Sequence, residues 1–300
     1  MRRDLCLLLS TCPRYLPVAR LTQAEIARRW NPAPPVFLCG VESPDALPMR
    51  EDTADWMAVT LEAVRELAGR GFRWVYLVLD DHPPVGRCSS EGLNETLPAW
   101  AEDRGAAAIG LLGWGQRRPR DGRDLGAGFG HLVQNDRSYR WKFSLHPALW
   151  SVEALIRLLE IRMVQFGPGQ RTPWNFERHR DANDGPVPVS MLDATYRVHG
   201  TSLVPGSIQA LDAGKETALF GFDLWRFFLR IGPGPAAREE FDREGLWLYH
   251  WYLGPYPIFW SGAIRGGRMH PEFQTFQRLL AHRWMLPEWS GLDRIFPPAP

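Results

Sequence analysis

Asp80 and Asp81 stand side by side where an apolar run, VYLVLDDHPP from Val75 to Pro84, comes to a stop. Two like charges at the carboxyl end of a buried strand repel each other unless something opposes them. In α/β enzymes a divalent cation that bridges a ligand's phosphates is a common partner for such carboxylates. The competing explanation is a turn cap, because an Asp side chain readily bonds the backbone that follows it. The apolar run before the pair and the rigid Pro83 and Pro84 after it favour a fixed functional edge. Consecutive extended residues point opposite ways. One aspartate can therefore face a ligand while the other holds the loop, and Asp81 is expected at the metal with Asp80 in support.

Other motifs carry less. GAGFG at Gly126 to Gly130 lacks the spacing and the strand-to-helix setting of a dinucleotide fingerprint, and the chain has no GxxxxGK[ST]. HRD at His179 to Asp181 has no glycine loop, strand lysine or DFG to accompany it, so chance accounts for it. No GxSxG occurs, nothing marks a nucleophilic cysteine, and the eight histidines form neither HxxxH nor HExxH. His82 and His146 become candidates through their nearness to the same edge. A lone histidine is more often a hydrogen-bonded structural residue.

The elements that must position this edge alternate along the first half. LCLLLS (Leu5 to Ser10), VFLC (Val36 to Cys39) and FRWVYLVLD (Phe72 to Asp80) read as buried strands, the last nearly continuous in apolar residues as a strand covered on both faces should be. LPVARLTQAEIARRW forms a helix between the first two. A second helix, capped by Thr53, carries Trp56, Val59, Val64 and Leu67 along one side. Strand, helix, strand, helix, strand implies a parallel doubly wound sheet with its ligand edge beyond the strand carboxyl ends. LNETLPAWAEDRG is helix-like and AAAIGLLGW strand-like. GQRRPRDGRDLGAGFGHL, polar and glycine-rich, is expected to be a long loop. Val152, Leu155, Ile156, Leu159 and Met163 mark one face of a further helix, and TPWNFE offers Thr172 as a cap with Pro173 in the first turn. TYRVHGTSLV and TALFGF are expected strands, and PEFQTFQRLLAHRWM a last helix.

Bulk properties narrow the partners. Lys plus Arg, 35, against Asp plus Glu, 34, gives a net charge of +1, so nothing draws the whole chain to nucleic acid or an anionic surface. Cys6, Cys12, Cys39 and Cys88 have no zinc-type spacing and read as thiols of a reducing cytosol. No segment approaches the roughly 20 apolar residues of a membrane span, so a soluble cytoplasmic protein is expected and the NET sequon at Asn94 is chance. Trp225, Trp247, Trp251, Trp260, Trp284 and Trp289 crowd the last third. Core packing explains most of them, with a minority left to stack on a sugar ring.

Four separated segments, LLLSTCPRY, WVYLVLDDHPP, FSLHPALWSVEALIRLL and TPWNFE, followed by YPIFWSGAIRGG, together resemble a group of bacterial glycosyltransferase-like proteins of the GT-A class. The resemblance spans Leu5 to Gly267. His82 stands where the pattern has an aromatic, His146 where it has glutamine and Gly267 where it has lysine. The resemblance implies a GT-A-like α/β fold: a Rossmann-like, mostly parallel central sheet flanked by helices, with an irregular α+β C-terminal part. It implies one domain over 1–300, with 1–115 as the nucleotide-binding half and 116–300 as the sugar and acceptor half. Thr11, Cys12, Arg14, Asp80 and Asp81 would border the donor nucleotide. Asp81 and His82 would hold Mn²⁺ or Mg²⁺. Ser144, His146 and Trp150 would line the sugar or acceptor side, with Trp174 and Glu177 opposite.

The implied activity moves a sugar from a nucleotide-sugar donor to a carbohydrate or glycoconjugate acceptor. A cation at Asp81 would stabilise the leaving diphosphate. Glu177 is the candidate base for the acceptor hydroxyl; its rival role is to interact with the dipole in the first turn of a helix. Two other classes compete. A nucleotidyltransferase acting on sugar phosphates would draw on the basic GQRRPR stretch. A carbohydrate-binding protein on a degenerate transferase scaffold would turn over nothing.

Overall fold

The computed structural model describes residues 2–51, 54–84, 90–111, 122–124, 131–137, 139, 141–177, 187–199, 259, 262–269 and 287–296. One sheet of eight strands forms its centre: β1 (Leu5–Ser10), β2 (Val36–Cys39), β3 (Trp74–Leu79), β4 (Ala108–Gly110), β5 (Gly122–Asp124), β6 (His131–Asn135), β7 (Ala148–Ser151) and β8 (Thr195–His199). Their order is β2-β1-β3-β7-β4-β8-β6-β5. The first three strands are mutually parallel, as is β4 with β8; β7 runs antiparallel to β3 and β4, and β6 antiparallel to β8 and β5. With β7 and β6 reversed, the other six share one direction. The fold is α/β and Rossmann-like, mixed in its pairing.

Period-two alternation divides the side chains of these strands between two cores. Leu5, Leu7 and Leu9 of β1 and Trp74, Tyr76 and Val78 of β3 pack with Ile26 of α1 (Leu16–Arg29) and Leu97 of α3 (Leu97–Asp103). Cys6, Leu8, Val75 and Leu77 face the other way, onto α2 (Trp56–Gly69) and α4 (Val152–Gln165). Each fully buried leucine contributes about 2 kcal/mol. Helices on both faces explain why β1 and β3 read as unbroken apolar runs.

Local chemistry sets the ends. Asp55 caps α2 by accepting from the Ala58 N–H at 3.0 Å, in place of the expected Thr53, which lies outside the described residues. Asp55 also pairs with Arg171 at 3.1 Å, and the Met57 N–H donates to the Arg171 carbonyl. These bonds bring the turn before α5 (Pro173–Glu177) against α2. Ser151 caps α4. Gly40 follows β2 with φ of +88°, and a Cβ there would sit 1.9 Å from the Thr11 carbonyl oxygen, so only glycine lets the ends of β1 and β2 come together.

Two expectations change. The stretch expected as a long loop holds β5 and the start of β6, an antiparallel pair whose ladder satisfies backbone groups that a bare loop would leave to water. The extended piece before α4 is an antiparallel strand between β3 and β4, so the sheet is not purely parallel. The TALFGF strand and the 271–285 helix lie outside the described residues, as do Cys88 and five of the six tryptophans of the last third. Trp289 is fully buried. Among the described residues, no helix is long and apolar enough to cross a membrane.

Candidate functional site

A cleft of about 850 Å³ opens at the carboxyl ends of β1 and β3 and extends across the sheet to β8. Its floor is made by small residues. Ala108, Gly110 and Ala148 sit on the face that β1 and β3 fill with leucine and valine, and they leave room where larger side chains would close the space. Thr11, Cys12, Asp80, Asp81, His82, Ser144, His146, Trp150, Trp174 and Glu177 all line it. The cleft thus brings together every expected site residue except Arg14.

Asp80 is fastened from its neighbours in the fold. Its carboxylate accepts from the Thr11 hydroxyl at 2.7 Å, its N–H donates to the Ser10 carbonyl, and its carbonyl accepts from the Thr22 hydroxyl of α1. Burial, and then the neighbouring Asp81 charge, push the Asp80 carboxyl well above the ordinary aspartate range. Asp81 is braced more heavily. Its Oδ1 faces His82 Nδ1 at 2.9 Å, its Oδ2 accepts from the Ile264 N–H at 3.2 Å, and its carbonyl accepts from the Ala263 N–H at 2.7 Å. The segment that supplies those N–H groups leads into a hairpin, β9 (Ile264–Arg265) and β10 (Arg268–Met269), turned through Gly266 and Gly267 at φ of +60° and +73°. A turn of that hand explains the two consecutive glycines.

His82 and Asp81 form a carboxylate–imidazole pair. The 2.9 Å between His82 Nδ1 and Asp81 Oδ1 is the spacing of a hydrogen bond and also of two neighbouring ligands about 2.1 Å from one ion, so the geometry is compatible with the joint ligation expected from sequence. The carboxylates do suit a hard cation: two adjacent acidic groups, one of them pushed toward its protonated form, are a setting that Mg²⁺ or Mn²⁺ stabilises together with ligand phosphates. Among the described residues no three or more His, Cys, Asp and Glu gather into a cage made of protein ligands alone.

Glu177 lies across the cleft as the fifth residue of α5, beyond the first turn in which the sequence placed it. Its Oε1 accepts from the Leu145 N–H at 2.6 Å and the Ser144 hydroxyl at 3.1 Å. Burial nevertheless outweighs these bonds and raises the carboxyl above the usual glutamate value. The Ser144 hydroxyl also accepts from the His146 N–H at 3.2 Å.

The His146 ring packs edge-on to His82, with centroids 5.5 Å apart. Burial first, and His82 second, lower its pKa to about 3, against the opposing pull of Asp81. Its folded pKa lies below the unfolded value of about 6.5. The linked stability is therefore present above pH ~6.5 and lost as the pH falls toward 3. The His146 Cε1–H resonance is expected not to titrate between pH 5 and 8; a midpoint near 6.5 would contradict the buried placement.

The aromatic expectations divide. Trp150 is 1% exposed and packs with Phe143 and Phe176, so it forms the inner wall of the cleft and not an open platform. Its indole N–H has no hydrogen-bond partner among the described residues. Trp174 is 69% exposed at the mouth. Arg14 is set aside from the cleft wall: its guanidinium occupies the space beside Gly267, where a Cβ would approach Nη2 to 2.9 Å, and lies over the Phe296 ring. Sequence reasoning missed Trp56, whose indole donates to the Ser10 hydroxyl at 2.9 Å, and also Asn135, Tyr139, Lys142 and Arg197.

No protein-family model matches the chain, and no curated protein matches it. Among solved structures, a mannose-1-phosphate geranyltransferase from Thermus thermophilus is similar at 16% identity, over 55% of this chain and 66% of that one, with a TM-score of 0.30. A likeness at that level assigns no activity to this chain.

Proposed function

We propose that this protein is a metal-assisted glycosyltransferase of GT-A-like organisation, taking a nucleotide-sugar donor and a carbohydrate or glycoconjugate acceptor. The observation that carries the reading is one cleft in which Thr11, Asp80 and Asp81 meet Ser144, His146 and Glu177 at the carboxyl edge of the sheet. Thr11 and Cys12 border the nucleotide; Asp81, oriented by His82 and steadied by Asp80, anchors Mn²⁺ or Mg²⁺. The bound cation supplies Lewis-acid stabilisation of the charge that grows on the leaving diphosphate. Ser144 and His146 line the sugar, with Trp150 as the inner wall and Trp174 at the mouth. Glu177 accepts the acceptor hydroxyl's proton at Oε2, its Oε1 being held by Leu145 and Ser144. Neutral His146, whose backbone N–H donates to Ser144, adds no positive charge to the cleft. The cysteine usage supports a cytoplasmic enzyme.

Incubation with UDP-, GDP-, CDP- and dTDP-sugars and Mn²⁺ tests it. Slow release of nucleoside diphosphate from one class, stopped by EDTA, is the expected result. Pyrophosphate released from a nucleoside triphosphate and a sugar phosphate, with no diphosphate release, would replace this reading with a nucleotidyltransferase.

A further inference from the structure

The chain that leaves β1 turns directly into α1, and Tyr15 stands at that junction as the residue just ahead of the helix. Its ring packs against Phe296 with centroids 4.9 Å apart, and it lines the cleft together with Thr11, Cys12, Asp80 and Asp81. The phenol is close enough to these groups to feel their charges. Burial first raises its pKa, the Arg14 charge opposes that, and Asp81, Asp80 and Cys12 add to the rise. Tyr15 therefore keeps its proton at neutral pH and remains a hydrogen-bond donor at the end of the cleft where the aspartates stand.

The other polar side chains at this end are already engaged. The Thr11 hydroxyl donates to Asp80 at 2.7 Å, the Ser10 hydroxyl accepts from the Trp56 indole at 2.9 Å, and His82 Nδ1 lies 2.9 Å from Asp81 Oδ1. Asp81 Oδ2 accepts from the Ile264 N–H. The Tyr15 hydroxyl, by contrast, has no hydrogen-bond partner among the described residues, although a partly buried phenol usually finds one. It neighbours two acids and bonds neither. An arginine in this place would pair with the carboxylates and compete with a cation for them, whereas a neutral phenol does not. Arg14, adjacent in the chain, is drawn away over the Phe296 ring at 5.8 Å. What the hydroxyl suits is an oxyanion brought to the same edge, since a hydrogen bond to a charged acceptor is the strong kind.

We propose that Tyr15 is a binding residue for the diphosphate of the nucleotide-sugar donor, its hydroxyl donating to a phosphate oxygen beside Asp80 and Asp81. It takes the place next to the donor that the sequence suggests for Arg14. The openness of the phenol to an oxyanion stands on the cleft geometry; that the oxyanion is a nucleotide's diphosphate rests on the glycosyltransferase reading.

Calorimetric titration of UDP, GDP, CDP, dTDP and inorganic pyrophosphate, each with Mn²⁺, into the wild type and Tyr15→Phe tests the contact. The substitution keeps a ring against Phe296 and removes only the hydroxyl. The wild type is expected to bind pyrophosphate and one of the nucleoside diphosphates, and Tyr15→Phe to bind both about tenfold or more weakly. The nucleoside of the preferred diphosphate, measured alongside, should bind the two proteins equally, because the lost bond is to phosphate. Diphosphate affinity within about twofold of wild type in Tyr15→Phe would overturn the contact and leave the transferase reading in place. An equal loss for nucleoside and diphosphate would also overturn it, since that marks a disturbed pocket. Pyrophosphate binding that depends on Tyr15, with no nucleoside diphosphate bound, would support the contact and remove the transferase reading. A folded wild type that binds none of these ligands would overturn both.

Discussion

Glu177→Gln is expected to lower turnover by about 10²–10⁴-fold with little change in donor affinity. The amide oxygen still accepts from the Leu145 N–H and the Ser144 hydroxyl, so the local fold survives. What disappears is the group that takes the proton from the acceptor hydroxyl. The pH profile should show the same residue at work. Burial raises the Glu177 carboxyl above its ordinary value, so the acid limb of kcat should lie above the usual glutamate pKa of about 4.3 and be absent from the variant's residual rate. Steady-state kinetics with the identified donor and acceptor decide the matter. A kcat within about threefold of wild type would show that no base acts at this position.

Asp81→Asn is expected to reduce donor affinity and turnover together, by about 10²-fold or more, since several kcal/mol of leaving-group stabilisation depend on the cation that the carboxylate anchors. Stability of the ligand-free protein should move the other way or not at all. Asp80 carries a proton affinity raised by burial and by Asp81. The folded state therefore binds that proton more tightly than the unfolded state, and stability falls as the pH rises from about 3.9 through the raised folded value. Removing the Asp81 charge relieves part of this. A role confined to holding the 262–264 segment predicts the opposite, because the Ile264 N–H would lose an ionised acceptor and the ligand-free protein would become less stable. Melting curves in EDTA separate the two roles.

The parallel half of the fold was legible because β1 and β3 are covered on both faces and so write themselves as apolar runs, and because helices α2 and α4 keep clear apolar stripes. The aspartate edge followed from the end of one such run. β5 and β6 were hidden: a three-residue strand among glycines and arginines has no periodicity to show, and only its pairing partner makes it a strand. The bracing of Asp81 by residues 263 and 264 spans more than 180 positions, and backbone N–H groups leave no trace in a sequence. Arg197 did leave a signal. In TYRVH it shares the inward face with Thr195, and a cation at a buried strand position needs a partner or a ligand. Trp150 misled because a tryptophan on a strand next to the cleft serves the core as readily as a sugar.

Metal-dependent donor binding tests the central claim most directly, and a thermal-shift titration with UDP-, GDP-, CDP- and dTDP-sugars, with and without Mn²⁺, measures it, since a ligand held only by the native state raises Tm. The expected result is a shift for one nucleotide class that requires Mn²⁺ and is lost in Asp81→Asn. A well-folded wild type that shifts with none of them, or an Asp81→Asn protein that shifts as fully as wild type, would contradict it.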